Sequence, residues 1–190
     1  MTGKEASQAA ALCDLSEPAQ KLLAQEPESA RFFKALVDGE MHDDALQFAS
    51  ACLAPMDRLW WGVLCVWESL RPDVNDDDDL LLQMMVGYLR EPNEDLRWKC
   101  RTMSKRKEVS PHLKMLAHAL FHSGESVTPP GGPQLKPSLK VPIALIATAV
   151  RSAATACGQK AKTSMKPEFL RLAMEVSRGQ HNLAIDAAAT

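Results

Sequence analysis

Apolar residues recur along this chain at spacings of three and four, and alternating runs hardly appear, so the pattern predicts helices rather than strands. The stretch around which the rest is organised is LAPMDRLWWGVLCVWESL, residues 53–70, with three of the four tryptophans. From Trp60 to Trp67 it contains no polar side chain. A buried strand is the rival reading, but Pro55 suits a first helical turn, Asp57 follows it and Pro72 is a stop, which favours helix. Met56, Trp60, Val63, Trp67 and Leu70 form one face at helical spacing. Leu59, Trp61, Leu64 and Val66 cover most of the remainder, so neighbours are expected to enclose this helix on nearly every side, with Trp60 and Trp67 as core rings. It is too short to cross a bilayer, which takes about 20 apolar residues.

The other helices announce themselves by their ends. Ser16 with Pro18 opens a short helix carrying Leu22 and Leu23. Pro27 is expected to open the next, with Phe32, Phe33, Leu36 and Val37 on its face and Gly39 as its stop. Ala45, Phe48, Ala49 and Cys52 mark a helix leading into the tryptophan stretch. Asn75 caps a helix through Leu80, Met84 and Tyr88, and Pro92 begins one with Leu96, Cys100 and Met103 inward. Ser110 and Pro111 start a helix that stops at Gly124. Pro142 begins an alanine-rich helix expected to end at Gly158, and Pro167 opens the last, which stops at Gly179. Between them, GESVTPPGGPQLKPSLK at residues 124–140 has four prolines, three glycines and no period, and reads as a strap-like loop.

These signals predict an all-α protein, a compact bundle of about eight or nine helices around the Trp-rich helix. The expected organisation is a flexible N-terminus at residues 1–15, one helical domain at 16–179 and a frayed tail at 180–190. Pro18, Pro55 and Pro92 lie 37 residues apart, each with a leucine four residues on, so repeat-like helical-hairpin packing is a second possibility.

Composition narrows the classes. A hydrophobic content of 46% supports a sizeable core, and a net charge of −2 gives no bulk attraction to nucleic acid or to an anionic membrane. The five cysteines, Cys13, Cys52, Cys65, Cys100 and Cys157, are an odd number without a close pair, which speaks against a disulfide framework and for a reducing compartment. The apolar stretch near the N-terminus is too short for a signal sequence, and Arg151 interrupts the apolar run at residues 141–150. The expectation is a cytoplasmic protein that neither inserts in a membrane nor binds nucleic acid.

Three fragments in order, RLWWGVLCVWESL, then LAHALFHSGESVTPPGGP running into VPIALIATAVRSAA, then KPEFLRLAMEVSRG, resemble a family of small bacterial all-helical proteins of unknown function. Some members of that family are associated with type VI secretion gene clusters. The resemblance covers residues 45–180 and implies a helical fold and a bacterial setting. The chain departs from the pattern at Phe121 and His122, where a second aromatic, often tryptophan, is expected. The family offers no catalytic residues to carry over.

Candidate chemistry is sparse. Asp76, Asp77, Asp78 and Asp79 lack the alternation and the glycine of a calcium loop. They suit a helix start, where carboxylates complement the dipole, and four of them exceed what capping needs, so they are an alternative docking surface for a basic partner. His118 and His122 have the spacing of two zinc ligands on one helical face, without a third ligand or the glutamate of a metalloprotease. Arg97, Lys99, Arg101, Lys105, Arg106 and Lys107 make the segment after Pro92 basic, with Trp98 as its one aromatic. No nucleophile elbow, phosphate-cradling glycine loop or dinucleotide fingerprint occurs. The reading is therefore non-enzymatic, without metal or cofactor: an adaptor or accessory protein that binds other proteins, with a secretion-system component or effector as partner. An immunity-type or chaperone protein holding one effector is the alternative, and a small metal-dependent hydrolase is the rival of another class. The expected partner surface combines Val127, Leu135, Lys136 and Leu139 of the strap with Arg101, Lys105 and Arg106. The competing view of the strap is that its apolar residues pack on the protein's own surface.

Overall fold

Caps and first-turn prolines start most of the helices where the sequence places them. Pro18, Pro55, Pro111 and Pro167 occupy the first two positions of their helices. The side chains of Ser16, Asn75 and Asn93 accept hydrogen bonds from the backbone N–H of Ala19, Asp78 and Leu96. The computed structural model describes residues 5–129 and 131–181. Residues 1–4 and 182–190 of the expected flexible ends, and Pro130 of the strap, lie outside the described residues. The helices are α1 (Ala6–Ala10), α2 (Glu17–Leu23), α3 (Ser29–Asp38), α4 (His42–Cys52), α5 (Pro55–Leu70), α6 (Asp76–Arg90), α7 (Glu94–Met103), α8 (Pro111–His122), α9 (Lys140–Ala161) and α10 (Lys166–Ser177). Among the described residues there is no strand beyond an isolated bridge between Glu5 and Glu28.

Several boundaries differ from expectation for local reasons. Residues 5–15 are packed: Ala6, Ala9 and Ala10 of α1 are buried with Leu15, and α1 lies against α3 and α4. Pro27 does not open α3 but precedes it, and its carbonyl accepts the Ala6 N–H at 2.8 Å. Pro92 likewise precedes the cap Asn93. The alanine-rich helix runs past Gly158 to Ala161, and Lys162 takes the left-handed turn. Gly158 serves instead as a gap, since a Cβ there would lie 2.8 Å from the Thr163 carbonyl oxygen.

The centre of the bundle is shared by α5 and α9. Helix α5 packs against α6, α8, α9 and α10, and α9 packs against α4, α5, α8 and α10. They meet at Gly62, where a Cβ would lie 2.6 Å from a Leu116 methyl of α8 and 3.4 Å from Ile146 of α9. Three polar ties lock the layers. The Trp61 indole donates to the Phe169 carbonyl of α10 at 2.9 Å. The Ser50 hydroxyl donates to the Ile143 carbonyl at 2.9 Å, and the Lys160 ammonium donates to the Ser69 carbonyl at 2.9 Å. Buried Arg58 donates to the Ser50 and Leu53 carbonyls, which satisfies the C-terminal end of α4 inside the fold.

Which face of α5 is buried is a correction. Trp61, fully enclosed, is the core ring, together with Leu59, Val63, Cys65, Val66 and Leu70. Trp67 is 47% exposed, stacked under Arg71 at 5.3 Å, and Trp60 is half-buried. A helix apolar on every side does not mark its own inner face; the neighbours choose it. In α6 the buried set is Leu81, Leu82, Met85, Tyr88 and Leu89, while Leu80 is exposed.

Successive helices do pack as neighbours, α6 on α7 and α7 on α8. However, α9 and α10 return to α4 and α5 and close the bundle, which a solenoid with only adjacent contacts would not do. Residues 140–160 of α9 are long and apolar enough to cross a membrane, with mean hydropathy 1.4, but half of that span is buried among the other helices.

Candidate functional site

Helix α7 is strongly charged, and its one fully buried cation organises the surface around it. Arg97 is 1% exposed. Its guanidinium donates to the Glu94 carboxylate, at 2.9 Å to Oε1, and to the carbonyls of Phe121 and Ser126, the latter at 2.7 Å. It also lies over the Phe121 ring, 4.7 Å from the centroid. These bonds hold Glu94 below the usual carboxylate range. They also fasten the end of α8 and the start of the strap to α7. Gly124 is required beside it, because a Cβ there would lie 2.5 Å from the Arg97 Nε. In the sequence Arg97 is one of six cations in a basic segment; the legible hint of its role is the Glu94–Arg97 spacing of three.

Beyond Arg97, α6 and α7 leave an open groove of about 610 Å³, lined by Met84, Trp98, Lys99, Thr102, Met103, Lys105 and Arg106. Its floor is apolar and its rim is cationic. Arg106 is paired with Asp77 at 2.7 Å, whereas Lys99 and Lys105 have no ion-pair partner among the described residues. Lys105 and Arg106 belong to the surface predicted from sequence. Met84 and Trp98 were not singled out for it, since nothing in either helix alone shows that they share a groove.

Beside Trp98, whose ring meets Phe121 edge-on at 4.8 Å, Arg101 reaches α8. Its guanidinium contacts His118 Nε2 and lies over the Phe121 ring, 5.8 Å from the centroid. Burial first, then the charges of Arg101, His122 and Lys105, keeps His118 below the ordinary imidazole value. His122 is lowered by burial, Arg101 and Arg97. The two histidines are half-buried, not a free surface pair. Among the described residues no three His, Cys, Asp or Glu side chains come together as a set able to hold a metal ion.

The acidic run is largely engaged by the chain itself. Asp78, 1% exposed, accepts from the Ser110 N–H at 2.8 Å and hydroxyl at 2.7 Å, capping α8 from the start of α6. Asp77 pairs with Arg106 and Asp79 accepts from Gln83, which leaves Asp76 exposed at the helix end. The basic group docked on this run is thus the chain's own Arg106. His112, also buried, is bonded to the Ser69 hydroxyl at 3.1 Å. None of the five cysteines is in a disulfide, and burial pushes the Cys13 and Cys100 thiols up to about 12, so both stay protonated at neutral pH.

The strap folds on itself. The Val127 N–H donates to the Leu135 carbonyl at 3.0 Å, and the Ser126 hydroxyl accepts from the backbone of Thr128 and Leu135. Val127 is half-buried, while Leu135 and Leu139 are 57% and 66% exposed and Lys136 is exposed. The two leucines therefore do not pack on the protein's own surface.

No curated protein and no solved structure matches the chain. Residues 32–177, from α3 through α10, match the model of a family described as "Family of unknown function (DUF6931)", so the helices that build the groove, the strap and the central layer are those of the family, and the chain belongs to it.

Proposed function

We propose that this is a non-enzymatic adaptor or accessory protein, cytoplasmic and working in a bacterial type VI secretion system, that receives an acidic amphipathic segment of a protein partner. The observation that carries the binding reading is the groove between α6 and α7. Its apolar floor of Met84, Trp98 and Met103 is bordered by Lys99 and Lys105, two cations without carboxylate partners among the described residues. Flexible methionines adapt to an apolar helix face, and unpaired lysines on the rim select for carboxylates beside it. The exposed Leu135 and Leu139 of the strap supply a second apolar contact. The secretion setting is supported by the three sequence fragments alone.

The test uses two synthetic helices with the same apolar face, one with glutamates on its flanks and one with lysines. The acidic peptide is expected to shift the methyl resonances of Met84 and Met103, and Lys99→Glu with Lys105→Glu to abolish the shift. Equal binding of both peptides, or no shift with either, overturns the reading. Replacing residues 131–136 with a Gly/Ser linker is expected to weaken the acidic peptide further. In a host with a type VI apparatus, loss of the gene should lower secretion; unchanged secretion removes that assignment. A stoichiometric zinc or calcium in the purified protein would favour the hydrolase instead.

A further inference from the structure

Cations near a helix C-terminus complement its dipole, and that accounts for positive charge at the end of α7. It does not account for the way α7 and α8 are joined at Arg101. A half-buried guanidinium ordinarily meets a carboxylate in a two-pronged pair. Here its hydrogen-bond partner is an imidazole nitrogen, His118 Nε2, and its face rests on the Phe121 ring. Among the described residues neither Arg101 nor Lys105 has a carboxylate within ion-pair distance, although five lysines and arginines elsewhere on helix surfaces find one three or four residues away (Lys21, Arg31, Lys34, Arg71 and Arg171).

The surroundings are of one sign. Arg101 contacts His118 and lies over the Phe121 ring, which the His122 ring meets edge-on at 5.6 Å, and Lys105 follows Arg101 by four residues; their charges, together with that of Arg97, bear on the two imidazoles. Arg97 is already committed to Glu94 and to two carbonyls. That leaves four groups, Arg101 and Lys105 four residues apart on one segment and His118 and His122 four apart on the next, with donors to spare. We infer that Arg101, Lys105, His118 and His122 form an oxyanion subsite that takes a tetrahedral dianion of the phosphate class. Two fixed positive charges match a dianion, and imidazole N–H groups from α8 supply donors from a second direction, which a single planar carboxylate uses less fully. Occupation by the anion favours the protonated imidazoles, and protonation of His118 frees the Arg101 donor that it now holds.

The experiment follows the two imidazoles by NMR through a pH titration in sulfate and in chloride at equal ionic strength. Sulfate is the probe because its charge does not change over this range. Both imidazoles are expected to titrate at higher pH in sulfate, and sulfate affinity to rise as pH falls. Arg101→Gln should remove the difference, and so should Lys105→Gln, whose exposed side chain has no ion-pair partner among the described residues. Lys99→Gln, in the groove, should leave it intact. Curves that superimpose in the two salts overturn the inference, whatever the acidic peptides do in the groove. Repeating the titration with inorganic phosphate and with a phosphoserine peptide separates the sources. Tighter binding of the peptide assigns a phosphoryl group carried on a chain, and tighter binding of inorganic phosphate assigns a free anion.

Discussion

Among the described residues two arginines are buried, and the regions around them are built on different terms. At the α4–α5–α9 centre, Arg58 is an accessory: it satisfies the carbonyls at the end of α4, while shape complementarity at Gly62 and apolar area do the packing. At the α7–α8 edge, Arg97 itself joins three segments through four hydrogen bonds. A centre made of methyl groups tolerates no unpaired charge. Around that guanidinium, the other cations Lys99, Arg101 and Lys105 have no carboxylate within ion-pair distance among the described residues. Both sites proposed above lie on the polar edge, and the packing that closes the bundle lies in the apolar centre.

The largest expected effect breaks the centre. Trp61→Ala removes a fully enclosed ring and its bond to the Phe169 carbonyl, and should cost about 3–5 kcal/mol in chemical denaturation. Trp67→Ala, in the same helix, should cost under about 1 kcal/mol because its ring is already half in water. Equal losses would mean that the two rings are equally buried and that α5 is rotated.

Next comes the edge. Arg97→Met keeps the stem but strips three partners of their donor, and should cost about 2–3 kcal/mol, in the range of charge-assisted hydrogen bonds. Hydrogen exchange should rise at the start of the strap and leave α5 and α9 protected. Uniform loss of protection would show that the edge and the centre unfold as one unit.

The smallest effect is a slope. Burial is the first cause that holds His112, His118 and His122 below the ordinary value of 6.5. Each binds its proton more readily in the unfolded chain. Their penalty is therefore absent above about pH 6.5, grows as pH falls from there through the folded values, and levels off below them. Melting temperature in chloride should fall across that window, and the His118→Asn, His122→Asn double variant should flatten the fall. A melting temperature that rises on mild acidification would show these rings to be stabilised in the charged form.

Much of the helix framework was legible because its signals are local. Asn75 caps α6, Pro55 and Pro111 open their helices, and residues 124–140 hold too many prolines and glycines to be regular. The short α1 was not legible, since a five-residue helix has little propensity of its own and is held by α3 and α4. Of the surface predicted for a partner, Lys105 and Arg106 do line the groove and Leu135 and Leu139 are exposed, while Arg101 turns toward α8.

By itself the sequence determined the all-helical class, most helix starts and the strap, because caps, prolines and three-to-four spacing act within a few residues of where they are written. Only the tertiary structure decided that Trp61 and not Trp67 is the core ring, that Asp78 is a buried cap for α8, and that Arg97 is a buried clasp. Those outcomes depend on which surface comes to lie opposite. An apolar residue on an all-apolar helix, or a charge in a charged run, carries no local mark of the neighbour that will cover it.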